Sequence, residues 1–230
     1  MATAIVAPRS GGGGVLNELS PAARAIYKYR NSCWDFFCDC VFTLDQADKE
    51  APVKKYPAGP GFSQSEYLQY LINKIVDEHL LALVKHRRMI ATWTACGICL
   101  WDAMFFEGRL NAIISKKETD SDDLVRRCKF IYENIPVDVL PVKPVFNYKF
   151  GNLYSDDLNS RIMGLAQGPD QLRQYTCSRI FADEIAFWPD ARATFVAMKP
   201  TISGGGKIFL CSTRSPGFFQ QVIEDSLDDQ

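Results

Sequence analysis

Two apolar runs that stop abruptly on polar residues limit what this chain can fold into. One is Arg179-Ile180-Phe181-Ala182-Asp183-Glu184, and Lys207-Ile208-Phe209-Leu210-Cys211-Ser212-Thr213 follows it closely. An unbroken apolar strand needs cover on both faces, which a parallel sheet between helix layers provides. The carboxyl edge of such a sheet is where side chains meet ligands. Asp followed by Glu at that edge suits nucleotide hydrolysis. The first carboxylate can hold Mg²⁺ through its water shell, and the second can orient and deprotonate a water. An ordinary strand end is the plainer explanation of the pair, so the surrounding chain has to supply the partners.

Other segments alternate in the same way. Gln64 to Glu78 carries Tyr67, Leu68, Leu71, Ile72, Ile75 and Val76 at helical spacing. Leu80 to Val84 is a short apolar run fit for a buried strand, and Trp93 to Phe106 is apolar nearly all round, as a central helix is. Leu110 to Ile114 reads as a strand and Asp120 to Tyr132 as a helix whose early acids suit its dipole. Short strands are expected at Phe146 to Phe150 and Arg161 to Leu165, with helices at Pro189 to Met198 and Phe218 to Leu227. Lys49 to Ser63 reads as loop, and aromatic-rich Ala22 to Val41 as ordered; residues 1–20, with Gly11 to Gly14, read as a flexible lead. Strands alternating with helices imply an α/β fold with a mainly parallel sheet, here one domain over residues 21–230.

Composition narrows the classes further. At 230 residues and 47% hydrophobic, the chain can bury one substantial core. A net charge of −1 rules out a generic polyanion binder, so any nucleic-acid contact must come from a local basic surface. No apolar run reaches bilayer-spanning length, and the patch at Met1 to Ser10 lacks the basic flank of a secretory signal. The 8 cysteines run from Cys33 to Cys211, several in apolar stretches, and read as reduced, mostly buried thiols. Zinc is not expected: beside Cys96-x-x-Cys99 and Cys38-x-Cys40 there are only 2 histidines, His79 and His86, and no second matching pair.

A phosphate-binding loop should lie upstream of Asp183, between a strand and a helix. Gly204-Gly205-Gly206-Lys207 has no Ser or Thr after its lysine and precedes a strand, so it reads as a turn. The order is right at Leu80–Val84, Lys85-His86-Arg87-Arg88-Met89-Ile90-Ala91-Thr92, and the helix from Trp93. Thr92 can offer a hydroxyl to Mg²⁺ while backbone N–H groups face phosphate. The loop has no glycine, and Ala91 stands where the usual lysine would be, which leaves Lys85 with Arg87 or Arg88 as the cations. A surface basic turn is the competing explanation, and the Asp-Glu strand downstream weighs against it.

From roughly Val41 onward the chain resembles the large subunit of a tailed-bacteriophage terminase, the ATPase that packages DNA into procapsids. The resemblance is carried by Lys85-His86-Arg87-Arg88-Met89 to Trp93, Arg126 to Pro136, Gln171 to Thr176, Phe181 to Ala191 and Cys211 to Phe219, in one order. It implies a RecA-like (ASCE) P-loop NTPase three-layer sandwich that uses ATP and Mg²⁺. By the same resemblance, Lys85 to Trp93 binds nucleotide, with the lysine moved to the front of the loop and Ile90 where the commoner form has glycine. Thr92 and Asp183 would serve the metal, Glu184 would be the general base, and Ser212-Thr213 the coupling motif that senses the γ-phosphate. Arg173 matches the arginine that reaches a neighbouring subunit's nucleotide to stabilise transition-state charge; a salt-bridged surface arginine is its other reading. Tyr56 with Gln64 or Gln69 are adenine-site candidates, and Tyr56 reads equally well as a packing aromatic beside Pro57.

The implied partners are double-stranded DNA, the portal protein, the small terminase subunit and further copies of the chain in a ring, in the host cell cytoplasm. Full large subunits add an RNase H-like nuclease domain with a carboxylate cluster. The sequence after the coupling motif has no such cluster, so an ATPase domain without nuclease activity is expected. Two rival readings stay open: a helicase-type RecA-like ATPase, which would separate strands, and a nucleotide-binding scaffold module whose glycine-free loop no longer hydrolyses.

Overall fold

The last strand in the chain is inserted between two earlier ones, and that insertion builds the site. The computed structural model describes residues 19–86 and 89–228. The lead expected over residues 1–20 therefore falls almost wholly outside the described residues, as do Arg87 and Arg88. Helices α1 (Pro21–Asn31) and α2 (Cys33–Cys40) lead into a hairpin, β1 (Phe42–Leu44) and β2 (Val53–Lys55). Then follow α3 (Ser65–Asp77), β3 (Leu80–Val84), α4 (Ala91–Phe105), β4 (Leu110–Ser115) and α5 (Glu118–Glu133). The remainder is β5 (Asn147–Lys149), β6 (Asn152–Ser155), β7 (Ser160–Ala166), β8 (Arg179–Asp183), α6 (Ala191–Thr201), β9 (Lys207–Ser212) and α7 (Phe218–Asp228).

Seven strands pair in the order β3-β9-β8-β4-β7-β6-β5. The first five named are parallel, and β6 and β5 add an antiparallel edge. Val84 lies opposite Ser212 and Asp183 opposite Cys211, so β3, β9 and β8 end level with one another. Alternate side chains serve opposite faces, as the pleat requires. Ile113, Phe181, Phe209 and Cys211 join the core under the layer of α1 to α5. Ala112, Ile180, Ala182, Ile208 and Leu210 join the core under α6 and α7. The rings of Phe181 and Phe209 stack across adjacent strands at 5.6 Å. The result is a three-layer sandwich of helices on both faces of a mostly parallel sheet.

Helix α4 is buried around most of its circumference, which matches its nearly unbroken apolar sequence. Two glycines set how closely helices approach. A Cβ at Gly97 would lie 2.5 Å from the Phe37 ring of α2, and one at Gly164 on β7 would lie 3.0 Å from the Ser121 backbone of α5. All eight thiols are unpaired, and all but Cys38 are buried. Cys96 and Cys128 tie α4 to α5 through sulfur contacts with the Leu124 and Cys96 carbonyls, at 3.6 and 3.4 Å.

The structure departs from the sequence reading in several places. Leu80–Val84 is a strand but not a buried one: with β9 as its sole neighbour among the described residues it forms a sheet edge, leaving Leu80 45% and Val84 43% exposed. Lys49 to Ser63 is not all loop, because Val53–Lys55 pairs antiparallel with Phe42–Leu44. Strand β6 was not anticipated. Helix α6 runs through Pro200 in its last turn, where the missing N–H leaves one i→i−4 bond unmade just before the helix ends. Among the described residues no helix is long and apolar enough to cross a membrane.

Candidate active site

Lys85 is aimed by the sheet itself. Its N–H donates to the Ser212 carbonyl at 2.9 Å, continuing the β3–β9 ladder one residue past the strand. From there its Nζ donates to Thr92 Oγ1 at 3.1 Å and lies 3.1 Å from Glu184 Oε1 and 3.8 Å from Asp183 Oδ1. Thr92, in the first turn of α4, donates its hydroxyl to Asp183 Oδ1 at 3.2 Å. Residues nearly a hundred positions apart in the chain are thus joined in one polar cluster at the carboxyl edge of the sheet.

Glu184 turns sharply as it leaves β8. Its φ of +54° is left-handed, and its N–H donates to the Cys211 carbonyl at 2.7 Å. The turn brings its carboxylate over the end of β9. There Oε2 accepts from Ser212 Oγ at 3.1 Å, the Thr213 N–H at 3.1 Å and Thr213 Oγ1 at 3.2 Å. Ser212 Oγ also accepts the Ala186 N–H at 3.2 Å, and Trp188 Nε1 donates to the Asp183 carbonyl at 3.0 Å, so the turn is fixed from both sides.

The loop before α4 has its own forced geometry. Ile90 occupies the left-handed region at φ +52°, a conformation that costs a non-glycine residue about 1–2 kcal/mol. Its side chain packs partly against the core. Neither a capping side chain nor an acidic residue occurs in the first turn of α4. The leading N–H groups and the positive end of the helix dipole are therefore left to face an anion.

The charges in the cluster are unequal. Burial pushes the Asp183 carboxyl above its ordinary range and the Glu184 charge adds to this, while Lys85 and the Thr92 hydroxyl pull the other way without cancelling it. Burial also works against the Glu184 charge, but the Thr213 N–H, Lys85 and Ser212 outweigh it and hold Glu184 below its usual value. For Lys85, burial opposes the charge, and the Cys211 sulfur and the carboxylates of Asp183 and Glu184 overcome that, raising its pKa. A carboxylate under a desolvation penalty beside a hydroxyl is an oxygen donor pair suited to a hard divalent cation. The residues present therefore fit Mg²⁺.

In front of the loop lies an open cleft of about 560 Å³, lined by Met89, Ile90, Ala91, Thr92 and Trp93, by Lys85, by the β1–β2 hairpin and by Arg127. Arg127 is the residue that reading the sequence missed. It lies on α5 with its guanidinium 5.3 Å from the centre of the Trp93 ring, and its charge acts on Asp183. A signal was available: Leu124 and Ile131, three before and four after it, are apolar and buried, so Arg127 shares their inward face.

Not every expected residue joins the cluster. Tyr56 does not offer its ring to a base: it is fully buried, edge-on to Phe37 at 4.8 Å, with its hydroxyl 2.6 Å from Thr94 Oγ1. It follows directly after β2, and its N–H donates to the Val41 carbonyl at 3.0 Å, which holds it in the core. Gln64, just before α3, and Gln69, on it, are both exposed. Arg173 is outside the cluster, on the segment between β7 and β8, 69% exposed and paired with Asp170 at 3.1 Å. Arg87 and Arg88 lie outside the described residues.

No protein-family model and no curated protein matches the sequence. Solved structures do match. The HK97 bacteriophage large terminase aligns with a TM-score of 0.65 and 11% identity, covering 92% of this chain and 42% of that one. A large terminase from a thermophilic bacteriophage, in complex with ADP, aligns with a TM-score of 0.52 and 10% identity, covering 70% of this chain and 42% of that one. The alignments thus take in less than half the length of either terminase. The mostly parallel seven-stranded sheet between helix layers is a RecA-like fold, shared with these phage large terminases.

Proposed function

We propose that this chain hydrolyses ATP as the motor domain of a phage terminase large subunit and uses the energy to drive double-stranded DNA into a procapsid. The observation that supports this most is the meeting of Lys85, Thr92, Asp183 and Glu184 at the carboxyl edge of the sheet, with contacts of 3.1 to 3.8 Å. The ADP held by the thermophilic-phage terminase supports a nucleotide as the ligand of this fold. DNA, the portal protein, the small terminase subunit and a ring of further copies, in the host cytoplasm, belong to the same proposal.

The chemistry would follow from the geometry. Thr92 and Asp183 would hold Mg²⁺, which when bound neutralises charge on the phosphate oxygens. The first turn of α4 and Lys85 would receive the phosphates, and Lys85 would exchange its carboxylate partners for phosphate oxygens. Glu184, kept ionised by its hydrogen bonds, would take the proton of the attacking water as the water oxygen bonds to the γ-phosphorus and ADP departs. Ser212 and Thr213 hold that base directly, so a change at the phosphate would be felt along β9. Arg173 would act from a neighbouring copy. Its present partner, Asp170, is itself 83% exposed, and an ion pair that open to water is worth little and easily given up.

Steady-state Mg²⁺-ATP hydrolysis with Glu184→Gln as control tests this reading. Turnover in the wild type that falls by about 100-fold or more in the variant, with ATP affinity kept, is the expected result. Undiminished turnover would remove Glu184 as the base. Lys85→Ala should weaken ATP binding, and a wild-type chain that binds no nucleotide would overturn the proposal.

A further inference from the structure

Helix α5 carries three basic residues within about one turn, and their surroundings differ. Arg126 donates to Asp122 at 2.8 Å and to the Tyr148 hydroxyl at 3.1 Å, and Lys129 donates to Glu133 at 2.5 Å. Both are committed to partners on or beside the helix. Arg127 has no ion pair among the described residues; its guanidinium lies over the Trp93 indole and faces the same cleft as Lys85 and Thr92. An indole face keeps a guanidinium flat and partly desolvated without satisfying its N–H donors, which stay available to an anion.

The helix beneath it is well anchored. Asp122, buried one turn earlier, accepts from the Gly151 N–H at 2.5 Å and from Tyr148 at 2.8 Å, pinning α5 to the β5–β6 edge. Gly164 lets α5 sit directly on β7. A cation on a rigid element, preorganised over a ring and opening onto the loop, has the features of a ligand-holding group.

We propose that Arg127 binds the terminal phosphate of ATP within the same copy of the chain, as a cation additional to Lys85 and independent of any arginine supplied by a neighbour. This rests on reading the cluster as a nucleotide site. The position accounts for that phosphate rather than the inner ones. Arg127 reaches the cleft from the β4 side and its charge is felt at Asp183, whereas the loop and the start of α4 come from the β3 side. A charge-assisted contact made to the γ-phosphate alone separates ATP from ADP.

The test is binding of the Mg²⁺ complexes of fluorescent ATP and ADP analogues to the wild type, Arg127→Ala, Arg127→Lys and Lys85→Ala, each checked by thermal melting. Arg127→Ala should lose about 10- to 100-fold in affinity for the ATP analogue and less than about threefold for the ADP analogue, with Arg127→Lys between. Lys85→Ala should weaken both. Arg127→Gln, which keeps most of the side chain on Trp93, carries the same comparison if the alanine variant does not fold. An unchanged preference for ATP over ADP in a folded Arg127 variant, or equal loss of both, would overturn the assignment while leaving the nucleotide site standing. A wild-type chain that binds neither analogue would overturn both.

Discussion

At Ile90 a β-branched residue holds a backbone shape that glycine holds at no steric cost. The left-handed φ is imposed by the way the loop enters α4, and the side chain offsets part of the strain by packing on the core. Truncation should therefore invert the usual order. Ile90→Ala loses the packing and keeps the strain, whereas Ile90→Gly loses the packing and sheds it, so the glycine variant should be the more stable by about 1 kcal/mol in urea unfolding. An alanine variant more stable than the glycine one would mean that the position is not strained. Asp183 poses the electrostatic counterpart. Its folded pKa is raised, so the stability it contributes is present below the ordinary carboxylate pKa and lost as pH rises through the folded value. At neutral pH without metal it is a burden, and Asp183→Asn should melt about 2–4 °C higher in EDTA. That gain should fade as pH falls toward 3.8, where the native carboxyl is neutral too. With Mg²⁺-ATP the order should reverse, because a bound ligand stabilises the wild type. A variant that melts lower than wild type in EDTA at neutral pH would contradict the desolvation argument.

Among the elements, α5 does more than cover the sheet, since it carries Arg127 and is held by Asp122 to the β5–β6 edge. Its approach depends on Gly164, where a Cβ would meet the Ser121 backbone at 3.0 Å. Gly164→Ala should cost about 1–3 kcal/mol by pushing on the helix, and should reduce ATP affinity more than ADP affinity. Full stability by urea unfolding would show that α5 yields freely. The same elements reveal what could be read beforehand. Strands β3, β8 and β9 and helix α4 were legible because their apolar runs end sharply, and Lys85, Thr92, Asp183 and Glu184 lie at or beside the ends of β3, α4 and β8. Strands β1, β2 and β6 were not, because three or four residues carry no usable period and their pairing is made by distant partners. Tyr56 was ambiguous for the same reason: its burial against Phe37 and Thr94 follows from tertiary contacts, not from the proline beside it. Arg127 was hidden by its basic neighbours, although its helical phase separates it from them.

For the molecule as a whole, the question is whether one copy holds a complete site. Lys85, Thr92, Asp183, Glu184 and Arg127 all come from within the chain, but Arg173 is exposed and outside the cluster, tied only by a weak surface pair. If it serves a neighbour's nucleotide, hydrolysis per subunit should rise with protein concentration. Two crippled variants should then repair each other. Glu184→Gln keeps Arg173 and lacks the base, and Arg173→Ala keeps the base and lacks the finger. Each alone should turn over slowly, and an equimolar mixture at associating concentration should recover a measurable part of the wild-type rate. Recovery can arise only where the base of one copy meets the arginine of another, so it separates action across copies from a general loss of folding. If Arg173→Ala alone turns over like the wild type at every concentration, the pair with Asp170 is all that Arg173 does, and the site is complete in one chain.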